Sequence, residues 1–235
     1  MIILLQFHGR AFPHVALNPM RPWTSSVRKN TLLVTFPERY RVLSWAPLNG
    51  GLVEARTMLN HQVNIHEYPT AEPEVYLDTL ARQLNVDLPV VGLMTGVLME
   101  RLVQKSVRHE GLQIECFATV GLSNALAVGD SATYDQQLST INLIIAVNHA
   151  LTPTAMIEAV QMVTEAKVSA LHEARVKSTV SDAPATGTGT DCVAIACPIA
   201  KPAYSYCGKH TKLGELVGRV TLHAVSEGIQ KTNRT

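Results

Sequence analysis

The sequence predicts an α+β fold in which mixed, largely antiparallel β-sheet layers are flanked by amphipathic helices. Three observations carry that prediction. Short apolar runs bounded by turn residues recur along the chain, two long segments show apolar residues at helical spacing, and strand-like segments group together rather than alternating strictly with helices. With 235 residues, 46% hydrophobic and 17% charged, the chain is long enough to bury a sizeable core.

Taken in order, residues 1–27 are rich in Pro and Arg and are expected to form a weakly ordered extension. Residues 31–36 and 41–46 read as strands, with Pro37-Glu38 as the turn of a hairpin. The loop Pro47-Leu-Asn-Gly-Gly51 leads into 51–57, a strand or the start of a helix. Val75, Leu77, Leu80 and Leu84 mark a helix within 72–84, and 89–95 is a buried strand. A helix is expected over 97–107, ended by Gly111. Residues 113–121 and 140–148 are apolar strands separated by the turn-rich segment 123–135. Thr152-Pro153 supplies an N-cap and a first-turn proline for a helix whose stripe runs through Met156, Ala159, Val160, Val163, Ala166, Ala170 and Leu171. A Ser/Thr/Gly/Pro loop at 179–190 precedes a strand at 192–197. A last amphipathic helix at 212–225 carries Leu213, Leu216, Val217, Val220 and Ala224, and 230–235 is expected to be a tail. Residues 28–229 are expected to make a single domain.

Composition excludes several function classes. A formal charge of +1 with scattered basic residues leaves no footprint for nucleic acid. Met1-Ile-Ile-Leu-Leu5 is far shorter than the roughly 20 apolar residues of a membrane span and lacks a signal peptide's flanks, so no membrane partner and a cytoplasmic location are expected. The four cysteines, Cys116, Cys192, Cys197 and Cys207, form no C-x-x-C pair and are expected to be reduced and structural, with Cys207 notable for adjoining a polar loop. The sequence leaves homo-oligomerisation open.

Two polar loops stand out. Tyr206-Cys-Gly-Lys-His-Thr-Lys-Leu-Gly-Glu215 crowds Lys209, His210 and Glu215 around the start of a helix, where exposed N–H groups favour negative charge. Ala185-Thr-Gly-Thr-Gly-Thr-Asp191 ends on a carboxylate placed just before an apolar strand. Neither is a nucleotide loop. The phosphate-binding pattern needs glycine at position 203, which is alanine, and His210 occupies the place of the required hydroxyl. The 185–191 loop precedes a strand instead of following one. Metal ligation is weakly signalled, because His61 and His66 are five apart and no H-E-x-x-H helix occurs; no metal and no cofactor are expected. Taken singly, His8, His14, His66, His109, His172 and His223 read as surface or structural, whereas His61 and His210 lie in polar, turn-forming runs. Glu165 and Lys167 read equally well as the polar face of their helix, and Asn49, Ser123 and Asn124 as turn residues.

The chain resembles the adenosylcobinamide amidohydrolase family. The resemblance is carried by Val42-Leu-Ser-Trp-Ala-Pro-Leu-Asn-Gly-Gly-Leu52, Leu59-Asn-His-Gln-Val63, Thr119-Val-Gly-Leu-Ser-Asn-Ala125, Ser139-Thr-Ile-Asn142, Thr164-Glu-Ala-Lys167, Ala185-Thr-Gly-Thr-Gly-Thr-Asp191 and Gly208-Lys-His-Thr-Lys-Leu-Gly-Glu215. It extends from about Arg28 to Gly228, and Trp45 departs from it by standing where a small residue is expected. The resemblance implies hydrolysis of the amide joining aminopropanol to the corrin ring of adenosylcobinamide, releasing adenosylcobyric acid and 1-amino-2-propanol in cobalamin salvage, with a small-molecule corrinoid as partner. Under that reading Asp191 or His210 is the general base, Lys209 and the N–H groups opening the last helix hold the oxyanion, and His210 or Glu215 protonates the amine. Asn49, Gly50, Gly51, His61, Ser123 and Asn124 would hold the corrinoid, with Gly187, Thr188, Gly189, Thr190 and Thr211 adding to the binding surface. A hydroxyl nucleophile among Ser123, Thr188 and Thr190 stays open, since no G-x-S-x-G elbow occurs. The competing class is a non-catalytic corrinoid carrier or regulator, which would need no clustered Lys, His and Asp.

Overall fold

The computed structural model describes residues 22–64, 71–132 and 139–232. The described residues open with β1 (Thr24–Arg28) and β2 (Thr31–Ser44), joined by Lys29 and Asn30 at φ 47° and 56°, the pairing of positive angles that a two-residue hairpin requires. Then follow β3 (Gly51–Gln62), α1 (Pro73–Gln83) and β4 (Val90–Thr95). Next come β5 (Val103–His109), β6 (Leu112–Val120), the two-residue β7 (Ala125–Leu126) and β8 (Ile141–Val147). The chain ends with α2 (Pro153–Glu173), β9 (Gly187–Thr188), β10 (Cys192–Pro198) and α3 (Lys212–Thr232).

An eight-stranded mixed sheet runs β4-β3-β2-β10-β8-β6-β5, with β1 beside β2. Most neighbours are antiparallel; β3 with β4 and β8 with β10 are parallel. The sheet folds back over itself along β2. One half, β5, β6, β8 and β10, buries alternate residues such as Cys116, Ile145 and Ile195 against α2 and α3. Its other face, with Phe117, Ile144 and Ala194, meets Leu32, Val34, Met58 and Leu93 of the second half. Leu33 and Leu59 on the outer side of that second half pack on Leu77 and Ala81 of α1. The result is a helix–sheet–sheet–helix stack, and the alternation of side chains along each strand is what lets each half bury both faces.

The expected hairpin turn at Pro37 is corrected. β2 is continuous, and Pro37, Glu38 and Arg39 are exposed in a register shift between Thr35 and Tyr40. A proline cannot donate to a ladder, and a bulge is one of the few places a strand accepts it. The bulge also divides the partners of β2, with β1 along Thr31–Thr35 and β10 along Tyr40–Ser44. The expected helix over 97–107 is corrected too. A short 3₁₀ turn at Met99–Arg101 leads into β5, and Glu110 and Gly111, at φ 45° and 84°, form a hairpin turn to β6. Val103 and Val107 are four apart, a spacing that a helix and a strand satisfy equally, and the positive-φ pair decides for the hairpin.

The segment expected as an extension, 1–27, contributes Trp23, which is buried between the sheet halves and donates from Nε1 to Glu115 Oε2 at 2.5 Å, and β1. Likewise α3 runs through Gln230 to Thr232, where 230–235 was expected to be tail. Residues 1–21, with His8 and His14, and His66 lie outside the described residues. All four cysteines are free and buried, and burial pushes the thiols of Cys192 and Cys207 up to about 12. Among the described residues, no helix is long and apolar enough to cross a membrane.

Candidate active site

Three polar residues lie buried on neighbouring parts of the sheet: Asn60 on β3, Thr119 on β6 and Asn142 on β8, each at most 2% exposed. Asn60 Nδ2 donates to Thr119 Oγ1 at 3.0 Å, and Asn142 Nδ2 donates to Asn60 Oδ1 at 2.9 Å and to the Met94 carbonyl at 2.7 Å. A buried amide without partners costs about 1–3 kcal/mol, so this seam fixes how the two sheet halves meet. Asn142 spends both amide protons on it, which makes it a positioning group and not a free donor.

At the edge of the seam a cleft of about 240 Å³ opens, walled by Trp45, Pro47, Val63, Pro73, Met94 and Cys192 on its apolar sides and by Thr95, Gly96, Thr140, Asn142 and Thr190 on its polar side. Thr140 Oγ1 donates to the Thr190 carbonyl at 2.8 Å, and Trp45 Nε1 donates to the Asp191 carbonyl at 2.6 Å. The loop 45–50 and the start of β10 are therefore tied together across the cleft mouth.

Next to Thr190, the Asp191 side chain reaches Lys167 of α2. Its Oδ1 accepts from Ile141 N and Thr188 N, both at 3.1 Å, and from the Thr188 hydroxyl; its Oδ2 pairs with Lys167 Nζ. Both charged side chains are only 10% exposed. Gly187 leaves the pair its room, because a Cβ there would lie 2.2 Å from Asp191 Oδ2 and 2.7 Å from Lys167 Nζ and one of them would have to shift. The acidic and basic groups thus form a preorganised buried pair one residue from the cleft's polar wall.

The loop at the start of α3 meets α2 at other residues. Cys207 N donates to Glu158 Oε2 at 2.5 Å and Lys209 pairs with Glu165. Glu158 precedes Lys167 by nine residues of α2, about 14 Å of helix rise. Glu165 lies two residues before Lys167, on a different helix face. His210 is exposed, with its ring 6.2 Å from that of Tyr206. Glu215 pairs with Lys212 and Arg219, and the hydrogen bond from Lys212 holds its carboxyl below the usual range. Thr211 caps α3, accepting from Gly214 N at 2.9 Å and donating to the Gly208 carbonyl at 2.8 Å. None of these contacts joins the 207–215 loop to Asp191.

The remaining residues support the loops. Asn49, at φ 54°, donates to the Val90 carbonyl at 2.8 Å; Gly50 sits where a Cβ would meet the Ala46 carbonyl at 2.6 Å; Gly51 has φ +92°. All three shape the loop that carries Trp45 and Pro47. His61 is buried between Thr31 Oγ1 and Tyr76 OH, at 2.8 and 2.9 Å, and burial lowers its pKa. Ser123 N donates to Ser139 Oγ at 3.2 Å, and Asn124 Nδ2 lies against Gly189. A second depression, about 500 Å³, is lined by Val27, Asn30, Gln62, Leu98, Met99 and Glu100, and among the described residues Glu100 is its sole ionisable side chain. Among the described residues, no group of three or more His, Cys, Asp or Glu side chains is disposed to hold a metal ion.

The adenosylcobinamide amidohydrolase family model matches residues 20–235. The chain belongs to the adenosylcobinamide amidohydrolase family. Among curated proteins it is 27% identical over 230 residues to an uncharacterized protein of Methanocaldococcus jannaschii, covering 87% of each chain. It is 27% identical over 192 residues to the adenosylcobinamide amidohydrolase of Methanosarcina mazei, covering 78% of this chain and 87% of that protein. A crystal structure of a Pyrococcus horikoshii protein is similar at 13% identity with a TM-score of 0.42, covering 88% of this chain and 78% of that one. Family motifs quoted from the sequence converge on the seam and cleft: Asn60, Thr119, Asn142, Lys167 and Asp191 all come from them. Four of these, all but Asp191, fall outside the residues expected to act. For Asn142 the readable signal was a polar side chain inside an apolar strand; for Asn60, Thr119 and Lys167 there was none beyond their motifs.

Proposed function

We propose that this protein hydrolyses the amide joining the aminopropanol arm to the corrin ring of adenosylcobinamide, giving adenosylcobyric acid and 1-amino-2-propanol, and so serves corrinoid salvage. The observation that carries this reading is the family match across 20–235 together with a cleft whose polar wall, Thr140, Asn142 and Thr190, stands beside the Asp191–Lys167 pair.

Amide hydrolysis needs a base for water, charge to hold the oxyanion and a proton for the departing nitrogen. Asp191 Oδ2 accepts from Lys167 alone among the described bonds, which leaves it an acceptor site for the attacking water. The water oxygen bonds to the carbonyl carbon as its proton passes to Asp191. Lys167, fixed at the same carboxylate oxygen, supplies positive charge for the oxyanion. As the C–N bond breaks, the proton returns to nitrogen and the amine leaves neutral. The Thr190 hydroxyl, and the Thr140 hydroxyl as an acceptor since its proton is given to the Thr190 carbonyl, orient the arm.

Purified protein incubated with adenosylcobinamide in the presence of a chelator is expected to release 1-amino-2-propanol and adenosylcobyric acid, read by mass spectrometry. Binding of the corrinoid with no cleavage would make the protein a carrier. Activity lost to chelator and restored by a divalent ion would require a metal in the reaction.

A further inference from the structure

We propose that Trp45 is a stacking platform for the corrinoid macrocycle, holding the ring outside the cleft while the scissile arm alone enters. The inference rests on the corrinoid-amide reading above. A cleft of about 240 Å³ is smaller than the roughly 300–1,000 Å³ pockets that enclose drug-sized ligands, so a tetrapyrrole-sized ring has to lie across its mouth. Trp45 stands at that mouth, lining the cleft, yet is 51% exposed. A large flat side chain left half in water at a cleft rim offers an apolar surface to the face of a large ring.

The indole is also held in place. Its Nε1 is tied to the Asp191 carbonyl at 2.6 Å. The following residue is fixed by the Ala46 N to Ser44 Oγ bond at 3.3 Å and by the close approach of Gly50 to the Ala46 carbonyl. Farther along the loop, Leu48 exchanges backbone hydrogen bonds with Gly92 at 3.2 and 3.0 Å. A ring fixed before the ligand arrives loses little conformational freedom on binding. The same hydrogen bond ties the platform to the residue whose carboxylate pairs with Lys167, so the macrocycle and the scissile amide are registered through one short segment.

The test is equilibrium binding, read by corrinoid absorbance, of adenosylcobinamide and of adenosylcobyric acid to wild type, Trp45→Ala and Trp45→Phe. The two ligands share the macrocycle and differ in the arm. Trp45→Ala is expected to weaken both by a similar factor, roughly 10-fold or more. Trp45→Phe, which keeps a ring but loses the N–H, should recover most of that loss. The proposal is overturned if Trp45→Ala binds adenosylcobyric acid like wild type, or if Trp45→Phe is as weak as Trp45→Ala, since the tether to Asp191 would then matter and not the ring face. Loss of binding in Trp45→Ala alongside a wild type that cleaves nothing would sink the amidohydrolase reading and leave the platform standing.

Discussion

The Asp191 carboxylate accepts from Ile141 N, Thr188 N, the Thr188 hydroxyl and Lys167, and its variants separate structure from chemistry. Asp191→Asn keeps the shape and removes the charge. Turnover is expected to fall on the order of 100-fold if the carboxylate is the base. Unlike a solvated loop residue, Asp191 has a buried counter-ion: the change strands the Lys167 ammonium at 10% exposure, and breaking such a pair costs about 3–5 kcal/mol. A lowered thermal midpoint should therefore accompany the kinetic loss, and near-normal turnover below that midpoint would remove Asp191 from the chemistry. His210→Ala tests the other loop. His210 is exposed, and the loop's contacts run to Glu158 and Glu165, so kcat is expected within a few-fold of wild type; a drop of about 100-fold or more would move the reaction to the start of α3. At this scale the sequence was half legible. A carboxylate closing a glycine loop before an apolar strand singles itself out, whereas Lys167 looks like any lysine on the polar face of a helix until its partner is seen.

The loop that carries Asp191 makes a prediction about an element. Glycines alternate through it, but only Gly187 abuts the ion pair; at Gly189 the nearest atom to an added Cβ is Leu126 Cδ1 at 3.5 Å, ordinary contact. Gly187→Ala is expected to abolish most activity and to lower stability, while Gly189→Ala leaves both close to wild type. Equal behaviour of the two in thermal melts and assays would mean that the packing of the pair does not govern the site. His61 links β2, β3 and α1 through Thr31 and Tyr76, and burial lowers its pKa from 6.5, as it does for His149. The sign follows from linkage. Below pH 6.5 the unfolded chain takes up protons that the folded histidines resist, so stability present above that pH is lost as pH falls. Urea unfolding of His61→Gln should show a smaller loss than wild type between about pH 7.5 and 5.5, with His149 keeping the loss from vanishing. An unchanged slope would mean that His61 charges freely in the fold.

Element by element, the segments whose pattern admitted one period were legible: the stripe and Thr152-Pro153 cap of α2, where Thr152 accepts from Ala155 N, and the apolar runs of β6, β8 and β10. Those that failed had two solutions locally. Pro37 is a turn signal unless a bulge is available, and the choice lay with β1 and β10, which share one side of β2.

For the molecule as a whole, strand alternation foretold layers but not that one sheet would fold over itself, because that depends on pairings between β2 and β10 that lie about 150 residues apart in sequence. Residues from distant motifs meet only through that closure: Asn60 from one half touches Thr119 and Asn142 from the other. The seam is therefore where global fold and local site test each other. Asn142→Leu keeps bulk but leaves Asn60 Oδ1 and the Met94 carbonyl without their donor, at about 1–3 kcal/mol for each orphaned acceptor. Because Met94 and Asn142 both line the cleft, KM for adenosylcobinamide should rise with the loss of stability. Ile144→Val is the control. Ile144 is buried 1% exposed in the same interlayer core, and losing one methylene should cost about 0.5–1.5 kcal/mol with KM unchanged. Denaturant midpoints and KM measured for both variants decide the matter: if Asn142→Leu is no worse than Ile144→Val in either, the polar seam neither holds the two halves in register nor shapes the cleft between them.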